Sequence, residues 1–304
     1  MIPESSSAIP ILPSCIRMIL FRWHPWVMPE LPEVEITRRY LADAVVGRTL
    51  GRPVLGASRV FRRNQVPQEV SDRLEGRVVR TVDRVGKCLI AELGEGVFWV
   101  MHLGMSGRLR ICDPGEAEII HTHFRVTLVG DPAIEVRFID PRTFGFVAAL
   151  TSNEAAALQG ELGRDALNDL PPSAELFSLF ASRSAPIKAV LLDQRVVAGL
   201  GNIYSDEVLF SAGIHPARPA CDLSPLEVDD LRRAIHPVLE AGIAEGGTSL
   251  DDLAYLLPDG RAGDYLSRLE VYGRQGLECR KCGTIITKMI LAQRSTHLCP
   301  NCQR

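Results

Sequence analysis

The sequence predicts an α+β chain of more than one domain: an antiparallel sheet region, then helices, then a metal-bound hairpin. Three observations carry this. Between residues 88 and 150, segments such as His123-Phe124-Arg125-Val126-Thr127-Leu128 and Ile134-Glu135-Val136-Arg137-Phe138-Ile139 alternate polar and apolar residues, the period of antiparallel strands with one buried face. Beyond residue 168 the apolar spacing turns helical. Near the end, Cys279-x-x-Cys282 and Cys299-x-x-Cys302 are separated by sixteen residues, the spacing of two thiolate knuckles closing on one tetrahedral zinc. With 304 residues the chain is long enough for two domains and a sizeable core.

Residues 1–27 are broken by Pro10, Pro13, Arg17 and Arg22 and lack a continuous signal-peptide core. They read as a misassigned or dispensable extension, since Met28 offers a start after Met1 and Met18 and is followed directly by Pro29. In a chain beginning at Pro29 the proline nitrogen is a secondary amine and a nucleophile, whereas within a longer chain it is an inert amide. An α-amino group titrates at roughly 8, so a usable fraction is unprotonated near neutrality. Attack on a carbon that bears a leaving group then ends in an iminium ion, an electron sink. Glu30 and Glu33 stand close enough to move protons, although Pro-Glu-Leu-Pro-Glu is equally an ordinary helix start, with acids at the positive end of the dipole. Val34, Leu41 and Val45 recur at helical spacing and Gly47 supplies a stop, which puts Pro29 and Glu30 at a helix N-terminus, where anions such as phosphates bind.

Two loops interrupt the strand region. His102-Leu103-Gly104-Met105-Ser106-Gly107 sets a methionine between glycines, and Asp140-Pro141-Arg142-Thr143-Phe144-Gly145 carries an arginine and a phenylalanine in a turn-rich stretch. Bulky side chains on tight loops suit a wedge in a base stack, or the anchoring of the loops themselves. Lys87 precedes a strand, an ordinary place for a solvated cation. Residues 151–168, Ala-rich and then Gly- and Asp-containing, read as a linker. Pro186 to Gln194 reads as a helix, 195–201 as a connection, and Ile203 to Ala212 as a second helix ended by Gly213, with Asn202 in the capping position. Gly199-x-Gly201 lacks the third glycine and the preceding strand of a dinucleotide fingerprint. The acidic run 222–252 reads as solvated helix, and the glycines of 258–265 suit a mobile lid.

A formal net charge of −3 does not mark a nucleic-acid binder, but charge distribution does: residues 271–304 carry six Lys or Arg against Glu278 alone. Four cysteines leave zinc no open position, so this one ion is structural rather than catalytic. Arg294, after Gln293 near the turn between the knuckles, projects a guanidinium suited to phosphate. Cys15, Cys88, Cys112 and Cys221 show no pairing pattern and read as packing residues. No apolar run reaches the roughly 18 to 20 residues that span a bilayer, so a cytoplasmic protein without membrane contact is expected.

The Pro29-to-Glu35 segment, the two loops and the cysteine tail closely resemble the formamidopyrimidine-DNA glycosylase family, bacterial base-excision repair enzymes, and the resemblance runs from Pro29 to Arg304. It implies an N-terminal β-sandwich with its N-terminal helix (28–150), the linker 151–168, a helix-two-turn-helix DNA-binding domain (169–266) and a zinc finger (267–304). It further implies a monomeric DNA glycosylase and apurinic-site lyase acting on damaged double-stranded DNA. Oxidised purines such as 8-oxoguanine and formamidopyrimidines leave through a Schiff base between Pro29 and C1′, with Glu30 as acid/base, followed by β,δ-elimination. Lys87 then assists catalysis and contacts phosphate. Met105, Arg142 and Phe144 fill the void left by an everted nucleotide, and Lys188, Asn202, Arg294 and either His121 or His123 hold the DNA backbone. The 258–265 loop caps the lesion. The chain departs from the family pattern at His121-Thr122-His123, where His-Asp-His is frequent, and at Leu162-Gly163-Arg164-Asp165-Ala166-Leu167, where Leu-Gly-Pro-Glu-Pro-Leu is frequent. Two alternatives stand beside this reading: an endonuclease VIII-like activity on oxidised pyrimidines, against which the Pro-Glu-Leu-Pro-Glu motif and Met105 weigh, and a lesion-binding protein without catalysis if the extension is retained.

Overall fold

The computed structural model describes residues 29–249 and 255–304. The expected extension 1–27 lies outside them, as does Cys15. Helix α1 (Leu31–Val45) ends at Gly47, whose φ of 82° is the left-handed conformation that glycine adopts without penalty. Its apolar positions serve two cores: Val34, Leu41 and Val45 pack into the sheet domain, and Leu31 into the helical one. The helix is therefore the joint between the two halves.

The sheet domain is a sandwich. One sheet runs β1 (Thr49–Leu50), β7 (Thr122–Val129), β8 (Ile134–Ile139), β6 (Arg108–Cys112), with β2 (Val54–Leu55) also on β7; the other runs β3 (Thr81–Val85), β4 (Cys88–Glu92), β5 (Val97–His102), β9 (Phe146–Thr151). Trp99, Phe124, Val126, Val136 and Phe138 fill the space between them, and helix α2 (Gln68–Leu74) closes one end. Strand β7 keeps the expected alternation, with Phe124, Val126 and Leu128 buried. Strand β8 does not: Glu135 and Arg137 on its outer face are buried too, because Arg137 donates to Glu135 at 2.6 Å and to the carbonyls of Glu116 and Ala117, which lie over it.

Two further expectations are corrected here. The segment read as a linker contains helix α3 (Ser152–Gly160), started by a reciprocal Thr151–Glu154 cap, and its Ala155 packs on the outer face of the second sheet. After it, β10 (Arg164–Asp165) pairs in parallel with β11 (Val197–Ala198). Cys221 is exposed rather than packed, whereas Cys88 and Cys112 are buried as expected.

The helical half comprises α4 (Ser173–Ala181), α5 (Ile187–Leu192), α6 (Asn202–Ser211) and α7 (Pro225–Ala244) around one apolar core. The two helices read around residues 186–212 are present, and Gly213 ends the second with φ 71°. Asn202 is not the cap: it is the first helical residue, and Gly201 holds the cap position. Strands β12 (Thr287–Leu291) and β13 (Arg294–Leu298) form the terminal hairpin, turned by Ala292 and Gln293, both at positive φ.

Candidate active site and nucleic-acid interface

The first turns of α1 and α6 meet head to head. Ile203 N donates to Glu30 Oε1 at 2.8 Å and Tyr204 N to Oε2 at 3.3 Å, so the carboxylate of one helix start supplies the cap that Gly201 cannot give the other. Such proximity requires glycine: a Cβ on Gly201 would lie 2.3 Å from the Glu30 carboxyl carbon, and one on Gly199 2.4 Å from Leu31. The Gly199-x-Gly201 pair thus marks close approach of two helices.

Glu30 is 1% exposed. Burial raises its pKa to about 7, Lys87 opposes the rise, neighbouring Glu33 adds to it, and the two amides draw it down. Glu33 accepts from the Glu30 N–H at 2.9 Å, Tyr204 Oη at 2.9 Å and Thr248 N at 2.8 Å, and burial pushes its carboxyl up as well. It is a hub that fixes the main chain directly after Pro29, itself buried. Lys87 follows Gly86 in the β3–β4 turn and is 6% exposed; burial lowers its pKa against the pull of Glu30 and Glu33. Arg84 and Asp165 hold that turn, Arg84 donating to Asp165 at 2.6 and 3.1 Å and Gly86 N to the same carboxylate at 2.8 Å.

A cavity of about 570 Å³ opens here, and Glu30, Lys87, Met105, Phe144, Asn202 and Arg294 all line it. These six residues come from both halves and the terminal hairpin. His102, which the sequence reading passed over, also stands in the wall, stacked on Phe146 with centroids 5.6 Å apart. Its Nδ1 accepts from Gly104 N at 3.0 Å; burial, then the charges of Lys87, Arg62 and Arg63, hold its pKa down at about 4, so the neutral ring carries its proton on Nε2.

The two glycine-bearing loops press together. A Cβ on Gly104 would fall 2.4 Å from Gly145 N, so neither loop tolerates a side chain there. Asp140, fully buried, accepts from Ser106 Oγ at 2.5 Å and Gly145 N at 2.7 Å. Arg142 donates to Met105 O at 2.9 Å and lies 5.4 Å over the Phe144 ring, so the three expected wedge residues form one group at the cavity edge.

The remaining expected contacts divide. Arg294 is exposed at the start of β13, and His121 is exposed with φ 67°, while His123 turns inward so that its Nε2 meets Asp140 O at 3.1 Å. Lys188 is a correction. It is 0% exposed, 2.7 Å from Asp206, and donates to Ser295 O and Thr296 Oγ1, so its ammonium clamps the hairpin to the helices and is out of reach of a phosphate. His297 N donates to the same Asp206 at 2.8 Å. The 258–265 loop lies against the sandwich, with Ile111 N donating to Pro258 O and Arg110 to Asp259 O.

Cys279, Cys282, Cys299 and Cys302 place their sulfurs within 4.8 Å of one another, with Cys282 and Cys299 at 3.5 Å and Cys279 and Cys302 at 3.9 Å. Zn–S bonds of about 2.3 Å put sulfurs roughly 3.8 Å apart at the corners of a tetrahedron, so the donor set fits one zinc with no open position.

Three family models match in succession: the formamidopyrimidine-DNA glycosylase N-terminal domain over residues 28–147, the formamidopyrimidine-DNA glycosylase H2TH domain over 162–253, and the zinc finger found in FPG and IleRS over 276–304. Among curated relatives, the formamidopyrimidine-DNA glycosylase of Methylococcus capsulatus is 42% identical over 278 residues, covering 91% of this chain and 100% of the relative. Among solved structures, Lactococcus lactis Fpg in complex with DNA containing an abasic site superposes with a TM-score of 0.82 at 30% identity, covering 91% of this chain and all of that one. A MutM complex with DNA containing carbocyclic 8-oxo-G gives 0.82 at 31% identity and the same coverage.

Proposed function

The chain belongs to the formamidopyrimidine-DNA glycosylase family, DNA glycosylases of base excision repair with apurinic-site lyase activity as a general property, and from that premise we propose that it excises oxidised purines through Pro29. The observation that carries the site assignment is the buried Glu30 carboxyl beside Lys87 in the cavity wall, one residue after Pro29. The Pro29 nitrogen, as a free secondary amine, adds its lone pair to C1′; the glycosidic bond breaks and its electrons leave with the base. The sugar ring then opens at C1′–O4′ and the iminium forms. A carboxyl titrating near 7 is half protonated at neutral pH, so Glu30 can give a proton to a leaving oxygen or nitrogen and afterwards, as carboxylate, take one from C2′ for elimination. Lys87, facing the same space, stabilises developing negative charge or an adjacent phosphate.

We assign Met105, Arg142 and Phe144 to the gap left by eversion. Asn202, Arg294 and the exposed His121 are assigned to the phosphate backbone. When bound, the zinc of the four thiolates holds the hairpin that presents Arg294, and no chemical step passes through it. Among the described residues no helix is long and apolar enough to cross a membrane. The substrate points to wherever chromosomal DNA lies, which we take to be the bacterial cytoplasm, with the enzyme acting as a monomer.

The chemistry requires a chain whose first residue is Pro29. Borohydride added to such a protein with an 8-oxoguanine duplex should trap a covalent complex by reducing the iminium. No trapped band from folded, excision-competent protein would refute the mechanism. Undiminished trapping by a chain in which Pro29 remains an internal amide would move the nucleophile elsewhere, with Lys87 the first candidate. Preferential excision of oxidised pyrimidines from matched duplexes would favour the endonuclease VIII-like reading.

A further inference from the structure

The loop that carries Phe144 is braced by a cavity-wall residue, Arg62, that none of the foregoing roles includes. Val60 and Phe61, buried in the sandwich core, anchor the 3-10 turn Ser58–Phe61, and Arg62 follows directly. Its Nη2 donates to Phe144 O at 2.8 Å and its Nη1 to Gly145 O at 2.6 Å, with Nη1 also reaching Arg59 O of its own turn at 3.0 Å. Phe144 O and Gly145 N belong to one peptide unit, and Gly145 N donates to Asp140 at 2.7 Å. That peptide plane is held at its oxygen by Arg62 and at its hydrogen by Asp140. Both Cα atoms of a peptide unit lie in its plane, so fixing the plane fixes the Phe144 Cα from which the ring leaves the backbone. The ring is 42% exposed and flanked by cations, Arg59 5.8 Å and Arg142 5.4 Å from its centroid.

We propose that Arg62 is a positioning residue for base eversion, its planar guanidinium forking across the Phe144 and Gly145 carbonyls so that the loop stays rigid while Phe144 enters the stack. The proposal rests on the wedge assignment. A wedge acts only if its mount does not yield, because the cost of unstacking, a few kcal/mol, otherwise goes into pushing the loop back. A lysine keeps the charge at this position but, as a point donor, cannot span two adjacent carbonyls.

The test compares Arg62→Lys and Arg62→Ala with the parent protein and with Met105→Ala/Arg142→Ala/Phe144→Ala. The substrate is an 8-oxoguanine duplex carrying 2-aminopurine beside the lesion, whose fluorescence rise in stopped flow reports unstacking. Loss of one charge-assisted bond predicts that Arg62→Lys slows the unstacking phase about tenfold and Arg62→Ala at least as much. Cleavage of a single-stranded abasic site, where no stack is opened, should stay within about twofold, and thermal melting should fall by only a few degrees, as loss of one charge-assisted bond implies. An unstacking phase in Arg62→Lys equal to the parent's overturns the proposal, as does an equal loss on both substrates, which would mark a folding defect. A shallower salt dependence of binding with normal unstacking would make Arg62 a phosphate contact instead and also overturns it. If the triple variant retains the unstacking phase, the wedge assignment itself fails; if the triple variant loses the phase and Arg62→Lys does not, only the brace fails.

Discussion

Replacing Glu30 by glutamine separates its two electrostatic influences. Burial favours the neutral acid, whereas Lys87 and the α6 amides favour the carboxylate, and burial prevails, placing the folded-state pKa at about 7 against an ordinary 4.5. The sign follows from proton uptake. A carboxyl whose pKa is raised by folding binds more protons in the native state, so its contribution is fully present below pH 4.5 and is lost as pH rises through 7. Between pH 5 and pH 8 this amounts to about 2.5 kcal/mol of stability lost from the parent protein. The Glu30→Gln protein has no such titration. Its amide oxygen can still accept from Ile203 N, but its NH₂ faces Tyr204 N, a lost cap interaction of about 1 kcal/mol. Glutamine should therefore be neutral to slightly destabilising at pH 5 and stabilising by 1 to 2 kcal/mol at pH 8, while excision of 8-oxoguanine collapses at both. Urea unfolding of the two proteins at pH 5, 6, 7 and 8 measures the difference; Glu207, also raised to about 7, titrates in both and cancels. A stability difference that is flat with pH, or one in which the parent gains on the variant as pH rises, would mean that Lys87 and the helix amides outweigh burial. Glu30 would then be ionised throughout and unable to act as an acid near neutrality.

Two further outcomes test the scaffold. Cys299→Ser should abolish zinc binding and release the hairpin, weakening DNA affinity while the sandwich stays folded; full affinity in protein shown by metal analysis to be zinc-free would contradict this. Lys188→Met should destabilise the protein by about 3 to 5 kcal/mol because it leaves Asp206 buried without its cation, and adding Asp206→Asn should recover part of the loss. Were Lys188 a phosphate contact, the same substitution would lower the salt dependence of DNA binding and leave unfolding unchanged.

Features set by local chemistry could be read from the sequence. The α1 periodicity, its Gly47 stop, the alternation of β7 and the cysteine spacing all depend on neighbours within one element. What escaped reading depends on partners far along the chain. Arg84 and Asp165 are 81 positions apart, and neither residue type nor flanking pattern announces that they close on each other and on Gly86 N to hold the turn bearing Lys87. Lys188 escaped for the same reason: a lysine at a helix start is ordinarily solvated, and Asp206 from another helix, with Ser295 O and Thr296 Oγ1 of the hairpin, makes its burial tolerable. Helix α3 was hidden by composition, since the alanines that suggested a linker are also strong helix formers, and Ala155 alone among them packs on the second sheet.

The glycines at 199 and 201 show how such a gap could have been narrowed. Considered as a nucleotide motif they fail, and considered as a flexible connection they are unremarkable, yet glycines two apart before a helix also permit another backbone or side chain to approach that helix start closely. Here the approaching group is Glu30. The consequence reaches the chemistry, because one contact both satisfies the α6 amides and removes Glu30 from water, and the second effect raises its pKa to about 7. A Cβ at 201 would collide with the carboxyl and force it outward into solvent, where it would return toward an ordinary carboxylate. The acid/base group is thus tuned by a residue without a side chain, on the far domain, about 170 positions away in sequence.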